Sequence, residues 1–247
     1  MPPIIHFVRH AQAYHNLTIN NYSMHDPDLT ELGKQQCFDL QRAFPHHDRV
    51  THVVASPIKR ALWTALLGFS STFATRGIRL TALPELQENT DLPCDTGSDK
   101  EVLEREFANQ PIDLSLVQEG WNDKKGPWAP QSDAISERCK AARVWLRELA
   151  GENDQVVVVT HGSLLHTLTE DWSDFDKHTG TGWANTEFRS YTFVPHSNDN
   201  ASLIETEESL KRRRATRLTK EDQLQLKAKA EREWAAAGWQ LPGKIVA

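Results

Sequence analysis

Four side chains in this sequence could together handle a doubly charged anion, and each stands just past an apolar stretch. Arg9 and His10 end the run Ile4-Ile5-His6-Phe7-Val8, Arg60 lies shortly after Thr51-His52-Val53-Val54-Ala55, and His161 follows Gln155-Val156-Val157-Val158-Val159-Thr160. A guanidinium is a fixed cation with a planar fork matched to phosphate oxygens. An imidazole can be neutral and nucleophilic near pH 7 without a large pKa shift. Taken singly, each has a plainer reading: an Arg-His dipeptide is common, Arg60 would be a solvated helix residue, and His161 a capped core histidine. Two Arg and two His converging on one pocket would suit a dianionic phosphate.

Convergence requires strands that end at a common edge. Residues 4–9 read as a first strand, 51–55 as a second, 78–83 as a third, 155–160 as a buried central parallel strand, and 187–194 as a last strand. Helices are predicted between them. One runs over 31–44 with Thr30 as N-cap and Leu32, Gln36, Leu40 and Ala43/Phe44 facing inward. A second begins at Ser56-Pro57, with Ser as N-cap and Pro at the first helical position. Others run over 98–109 and 132–149, and one from His161 to about residue 170. Residues 11–28 read as a loop over the sheet edge. Strands alternating with helices predict an α/β fold, a three-layer α/β/α sandwich with a mostly parallel central sheet. Ligands of such sheets sit beyond the carboxyl ends of the strands. Helix N-termini after Ser56 and His161 would add backbone N–H donors to the pocket.

Residues 84–130, rich in Pro, Gly and acidic residues, read as a lid-like insertion. The division predicted is a catalytic domain over 1–200 and a charged helical C-terminal extension over 201–247 packed on it. Within that extension, Thr219 with Asp222 resembles a capping box for a helix over 220–237, and Trp234 and Trp239 would pack it onto the body. Lys211-Arg212-Arg213-Arg214 reads as a solvated helix face, with a nuclear-import or anion-binding run as the alternative.

The net charge of −6 argues against non-specific nucleic-acid binding by the whole surface. The three cysteines, Cys37, Cys94 and Cys139, are widely spaced and suggest neither a disulfide framework nor a zinc site. A reducing location, cytoplasmic or also nuclear, is expected, with no secretory leader. No apolar run approaches the ~18 residues of a membrane span. There is no Walker-type glycine loop and no carboxylate cluster at metal spacing, so a site without metal or cofactor is expected.

Five segments, in order, resemble the motifs of the histidine phosphatase superfamily in its phosphoglycerate-mutase-like branch. They are Val8-Arg9-His10-Ala11-Gln12, Leu29-Thr30-Glu31-Leu32-Gly33-Lys34-Gln35, Ala55-Ser56-Pro57-Ile58-Lys59-Arg60-Ala61 through Thr64-Ala65, Leu86-Gln87-Glu88, and Val159-Thr160-His161-Gly162. The resemblance implies that His10 attacks phosphorus and carries a phosphohistidine. It implies that Arg9, Arg60 and His161 hold the phosphoryl oxygens, that Asn16 offers an amide, and that Glu88 protonates the leaving oxygen and then activates water. His161 would thus join His10 and Glu88 as a catalytic residue. Glu85, three residues away, is the alternative acid, and Glu88 is favoured because it fits Leu-x-Glu.

One departure stands out. Ala11 replaces the family's usual Gly and fits if its φ stays negative; Arg-His-Ala-Gln followed by His-Asn also occurs in fungal and plant members. Tyr14 and His15 read as loop residues, with substrate contact as the alternative. Asp95-Thr96-Gly97-Ser98 reads equally as a substrate-side loop or a plain turn. The expected activity is hydrolysis of a small phosphorylated metabolite. The alternatives are a mutase that moves phosphate within a small acid, or a non-catalytic binder of a phosphorylated ligand. Substrate identity and oligomeric state stay open.

Overall fold

The computed structural model describes residues 1–178 and 180–241. Its strands are β1 (Ile4–Arg9), β2 (Val50–Ala55), β3 (Leu80–Ala82), β4 (Ile112–Asp113), β5 (Gln155–Thr160), β6 (Phe188–Phe193) and β7 (Leu203–Glu205). They form one sheet in the order β4-β3-β2-β5-β1-β6-β7. Pairing is parallel from β4 through β1, and β6 and β7 add an antiparallel edge. The helices are α1 (Glu31–Ala43), α2 (Lys59–Gly68), α3 (Ser70–Arg76), α4 (Lys100–Glu106), α5 (Ser132–Leu149), α6 (Gly162–Thr169), α7 (Glu207–Arg212) and α8 (Lys220–Ala236). The expected α/β architecture is what forms. The short strands β4 and β7 carry too few residues for a sequence pattern.

Alternation along the central strands splits the core into two layers. Val157 and Val159 of β5 pack with Val8, Val53, Ala61, Leu62 and Phe69 on the α1/α2 side. Val156 and Val158 pack with Ile5, Phe7, Ile135, Leu146 and Leu164 on the α5/α6 side. Both faces of β5 are therefore apolar, which is why that strand reads as an unbroken Val run.

Helix α1 departs from the expected register. Thr30 caps it as predicted, its hydroxyl accepting from Gly33 N at 3.0 Å. The inward face, however, is Gly33, Cys37 and Leu40, and Leu32 is exposed. Gly33 decides this, because it lies against the Gln12 carbonyl so closely that a Cβ would fall 2.0 Å from the oxygen. Helix α2 also starts later than predicted, at Lys59. Ser56 does not cap it; its hydroxyl accepts from Ile58 N and bonds His161.

The C-terminal segment lies against the body. Trp172, Phe175, Ala230 and Trp234 form a buried cluster, with Trp239 partly buried beside it. The Thr219/Asp222 capping box is present. The Lys211–Arg214 run is not a uniformly solvated face. Arg213 pairs with Glu205 at 2.8 Å and lies within 4 Å of Asp171 and Asp174, and Arg212 stacks over Phe188. No helix among the described residues is long and apolar enough to cross a membrane.

Candidate active site

Strand register builds the site. Arg9 of β1 stands opposite Thr160 of β5, and Ala55 of β2 opposite Val159. The next residues, His10, Ser56 and His161, therefore leave the sheet together at its carboxyl edge. His10 N donates to Thr160 O at 2.8 Å, and Ser56 N to Val159 O at 3.0 Å. The rings of His10 and His161 come to 5.2 Å between centroids.

The tautomer of His10 follows from its neighbours. Nδ1 lies 2.7 Å from the Ala11 carbonyl, which can only accept, so Nδ1 carries the proton. Arg60 Nε, which can only donate, lies 3.3 Å from Nε2. Nε2 thus presents a lone pair. Burial first, then the charges of Arg60 and Arg9, push the His10 imidazole well below its ordinary pKa and keep it neutral. Ala11 is fully buried and is not among the residues with positive φ, so the missing glycine causes no strain. Its N–H donates to Thr64 Oγ1 at 2.9 Å, and that hydroxyl donates to Arg60 O at 2.6 Å.

Each terminal nitrogen of Arg60 makes one further bond. One terminal nitrogen donates to Cys94 O and the other to Asp95 Oδ1 at 2.8 Å. Asp95 also accepts from the Thr90 hydroxyl at 2.6 Å. Of the two readings of residues 95–98, the structure places Asp95 at the site and Ser98 on Asp26. The expected helix-end donors are also occupied. Lys59 N, in the first turn of α2, donates to Asp26, and Ser163 N and Leu164 N of α6 donate to Glu88 at 3.3 and 3.0 Å.

A cleft of about 70 Å³ opens over His10, lined by Arg9, His15, Asn16, Glu88, Asp95 and Trp239 among others. Glu88 faces it; Glu85 faces a separate cavity beside Trp128 and Arg138. Burial, then the neighbouring Asp95, raises the Glu88 carboxyl above its ordinary range. Arg60 bonds His10 and the His161 ring lies beside it, and both are fully buried rather than lining the cleft. Behind Glu88, the buried ammonium of Lys124 donates to the Glu88 backbone carbonyl at 3.0 Å. Burial and the charge of Arg138 bring Lys124 down to about 7.

His15, read from sequence as a loop residue, lies in the cleft wall with its ring 5.5 Å from His10. Asn16 Oδ1 accepts from Ala13 N, which turns Nδ2 toward His15 Nε2 at 3.1 Å and leaves the proton on His15 Nδ1. Tyr14 is exposed. Arg9 Nε, His15 Nδ1 and His161 Nδ1 are buried nitrogens without a protein partner. Buried polar groups are normally paired, so these three nitrogens near one imidazole are left able to bond a ligand.

The model of the histidine phosphatase superfamily, branch 1, matches residues 5–206. The chain belongs to the histidine phosphatase superfamily. A probable phosphatase of Schizosaccharomyces pombe is 33% identical over 42% of this chain, which spans about half, 49%, of that protein. A phosphoglycerate mutase-like protein of Arabidopsis thaliana is 27% identical over 82% of this chain and 88% of its own length. Among solved structures, a phosphoserine phosphatase mutant of Entamoeba histolytica in complex with phosphoserine superposes with a TM-score of 0.51 at 16% identity, covering 83% of this chain and 95% of that one. This last likeness is one of fold.

Within this member of the family, Ser56, Lys124, Asn185 and Trp239 join the site although the sequence placed none of them there, and His15 and Asp95 join it from segments the sequence left open. Asn185 Nδ2 holds the His10 carbonyl at 2.9 Å. Ser56 precedes Pro57 in a family motif, where the local pattern reads as a helix cap, and His15 directly precedes Asn16. Asn185 and Trp239 carry no local signal. Among the described residues no group of His, Cys, Asp and Glu is arranged to hold a metal ion.

Proposed function

We propose that the protein is a phosphomonoester hydrolase working through a phosphohistidine on His10 and acting on a small phosphorylated metabolite. The observation that carries the reading is the fixed tautomer of His10: Nδ1–H bound to Ala11 O and a lone pair on Nε2. That lone pair, released from the Arg60 Nε–H that holds it in the free enzyme, attacks phosphorus as the P–O bond to the alcohol breaks. The leaving oxygen takes its proton from the Glu88 carboxyl, whose pKa burial raises in the direction a general acid needs. Arg9 and Arg60 oppose the charge on the equatorial oxygens, with His15 and His161 supplying ring donors and Asn16 its amide. In the second step Glu88, now a carboxylate, takes a proton from water. The water oxygen attacks phosphorus, the N–P bond breaks, and inorganic phosphate leaves with His10 neutral again.

Rapid quench with a ³²P-labelled ester should trap an acid-labile, base-stable phosphoprotein that His10→Ala does not form. Turnover by His10→Ala at the wild-type rate would sink the reading. A mutase would return isomerised ester and no inorganic phosphate. Lys124, Asn185 and Thr64 act through Glu88, His10 and Arg60 and are positioning residues. Residues 1–200 as the catalytic domain, with 84–130 as its lid and 201–247 as an extension, is the division that accompanies this proposal; Glu88, Thr90, Leu92 and Asp95 of the insertion line the cleft.

A further inference from the structure

The family match ends at residue 206, yet Trp239 lines the cleft together with Gly180, Thr181 and Ser163. Its ring is anchored. Trp239 N donates to Trp234 O at 2.9 Å, and the ring packs on the Trp172/Phe175/Trp234 cluster. Gly180, at φ +71°, approaches so closely that a Cβ there would fall 3.0 Å from the indole. Two residues on, Leu241 N donates to Pro130 O and Leu241 O accepts from Ser132 N, which ties this segment to the far end of the 84–130 insertion. The C-terminal segment thus supplies a fixed aromatic face to a cleft whose other described lining residues fall within 9–181.

The charge of the cleft adds a second constraint. Among the described lining residues Arg9 is the one lysine or arginine, and Glu88 and Asp95 are acidic. Arg9 is needed for the phosphoryl group. A carboxylate on the alcohol would therefore meet acidic side chains with no cation left to pair it, at a cost in desolvation and repulsion. Tyr22 and Leu92 extend the apolar wall.

We propose that Trp239 is a specificity-determining residue that receives the alcohol part of the substrate, and that the site selects phosphate monoesters of uncharged, ring-bearing alcohols over those of carboxylate-bearing alcohols. This rests on the hydrolase reading above and names its substrate class.

Three primary-alcohol esters keep leaving-group chemistry matched: benzyl phosphate, ethyl phosphate and O-phosphoserine. Wild type should prefer benzyl phosphate to O-phosphoserine by ~10-fold or more in kcat/KM. Trp239→Ala should raise KM for benzyl phosphate ~5- to 10-fold, the scale of an aromatic contact, and should raise KM for ethyl phosphate by a clearly smaller factor. Trp239→Phe should retain most of the preference. Calorimetric binding of benzylphosphonate should weaken in Trp239→Ala, and binding of inorganic phosphate should not, which also shows that the variant is folded. O-phosphoserine turned over as well as benzyl phosphate, or equal losses on benzyl and ethyl phosphate, would overturn the proposal. Absence of any hydrolysis alongside Trp239-dependent benzylphosphonate binding would strike the hydrolase reading alone.

Discussion

Arg60 Nε points at His10 Nε2 from 3.3 Å, while the same guanidinium pairs with Asp95 at 2.8 Å. One buried cation therefore fixes the direction of the His10 lone pair and is itself held by a carboxylate that lines the cleft. Arg60→Lys cannot reproduce this fork, since an ammonium is a point donor without the planar geometry. It should lower kcat/KM by ~10²–10³, the usual cost of losing a transition-state donor, in steady-state assays with benzyl phosphate.

Asp95 places a negative charge where a phosphate dianion would approach Arg60. Asp95→Asn should tighten inhibition by inorganic phosphate about tenfold, as expected for removing one nearby like charge. It should also lower the melting temperature, because the buried Arg60 loses its charged partner. Unchanged or weaker phosphate inhibition would show that Asp95 does not oppose the anion.

Glu88→Gln keeps the hydrogen-bonded shape and removes the transferable proton. Its effect should depend on the leaving group: a loss of ~10²–10⁴ for benzyl phosphate, and a smaller loss of the phosphorylation rate for p-nitrophenyl phosphate, whose oxygen leaves without protonation. Because the Glu88 pKa is raised, wild-type phosphorylation by benzyl phosphate should fall as pH rises through that value. His10 will not limit the acid side until well below its ordinary range, as its pKa is lowered. Single-turnover rates across pH separate these limbs.

Gly33→Ala offers a test of packing. Alanine in a helix is ordinarily worth ~0.5–1 kcal/mol over glycine. Here its Cβ would fall 2.0 Å from the Gln12 carbonyl oxygen. The helix must shift, and the variant should be less stable by ~1–3 kcal/mol, the cost of overpacking, in chemical denaturation.

His6 and His166 are buried, neutral and structural. His6 bonds Ser190 and Gln155, and His166 bonds the Asp171 carbonyl and Gly182 N. Burial lowers them to about 3 and about 4. The unfolded chain binds their protons near pH 6.5, earlier than the folded one, so stability is full above pH 6.5 and declines as pH falls from there toward 4. Denaturation midpoints should follow this slope, and it should shrink in His166→Gln.

What the sequence by itself determined is local in origin. The β-branched run 155–160, the strand ending in Arg9-His10, the Thr30 cap and the Thr219/Asp222 capping box each follow from neighbours within a few residues, and each forms as read. The order of motifs pointed to the family. The tertiary structure decided what lies between distant segments. Parallel register of β1, β2 and β5 brought His10, Ser56 and His161 to one edge, and the bond that Ser56 makes to His161 displaced its expected role as a cap. The choice of α1 face turned on a single close approach, Gly33 on Gln12, which periodicity does not contain. Asp95 on Arg60, His15 over His10 and Trp239 in the cleft wall come from loops and a C-terminal segment whose directions depend on what they pack against. Periodicity encodes which face of an element is apolar; only packing encodes which other residue that face will meet.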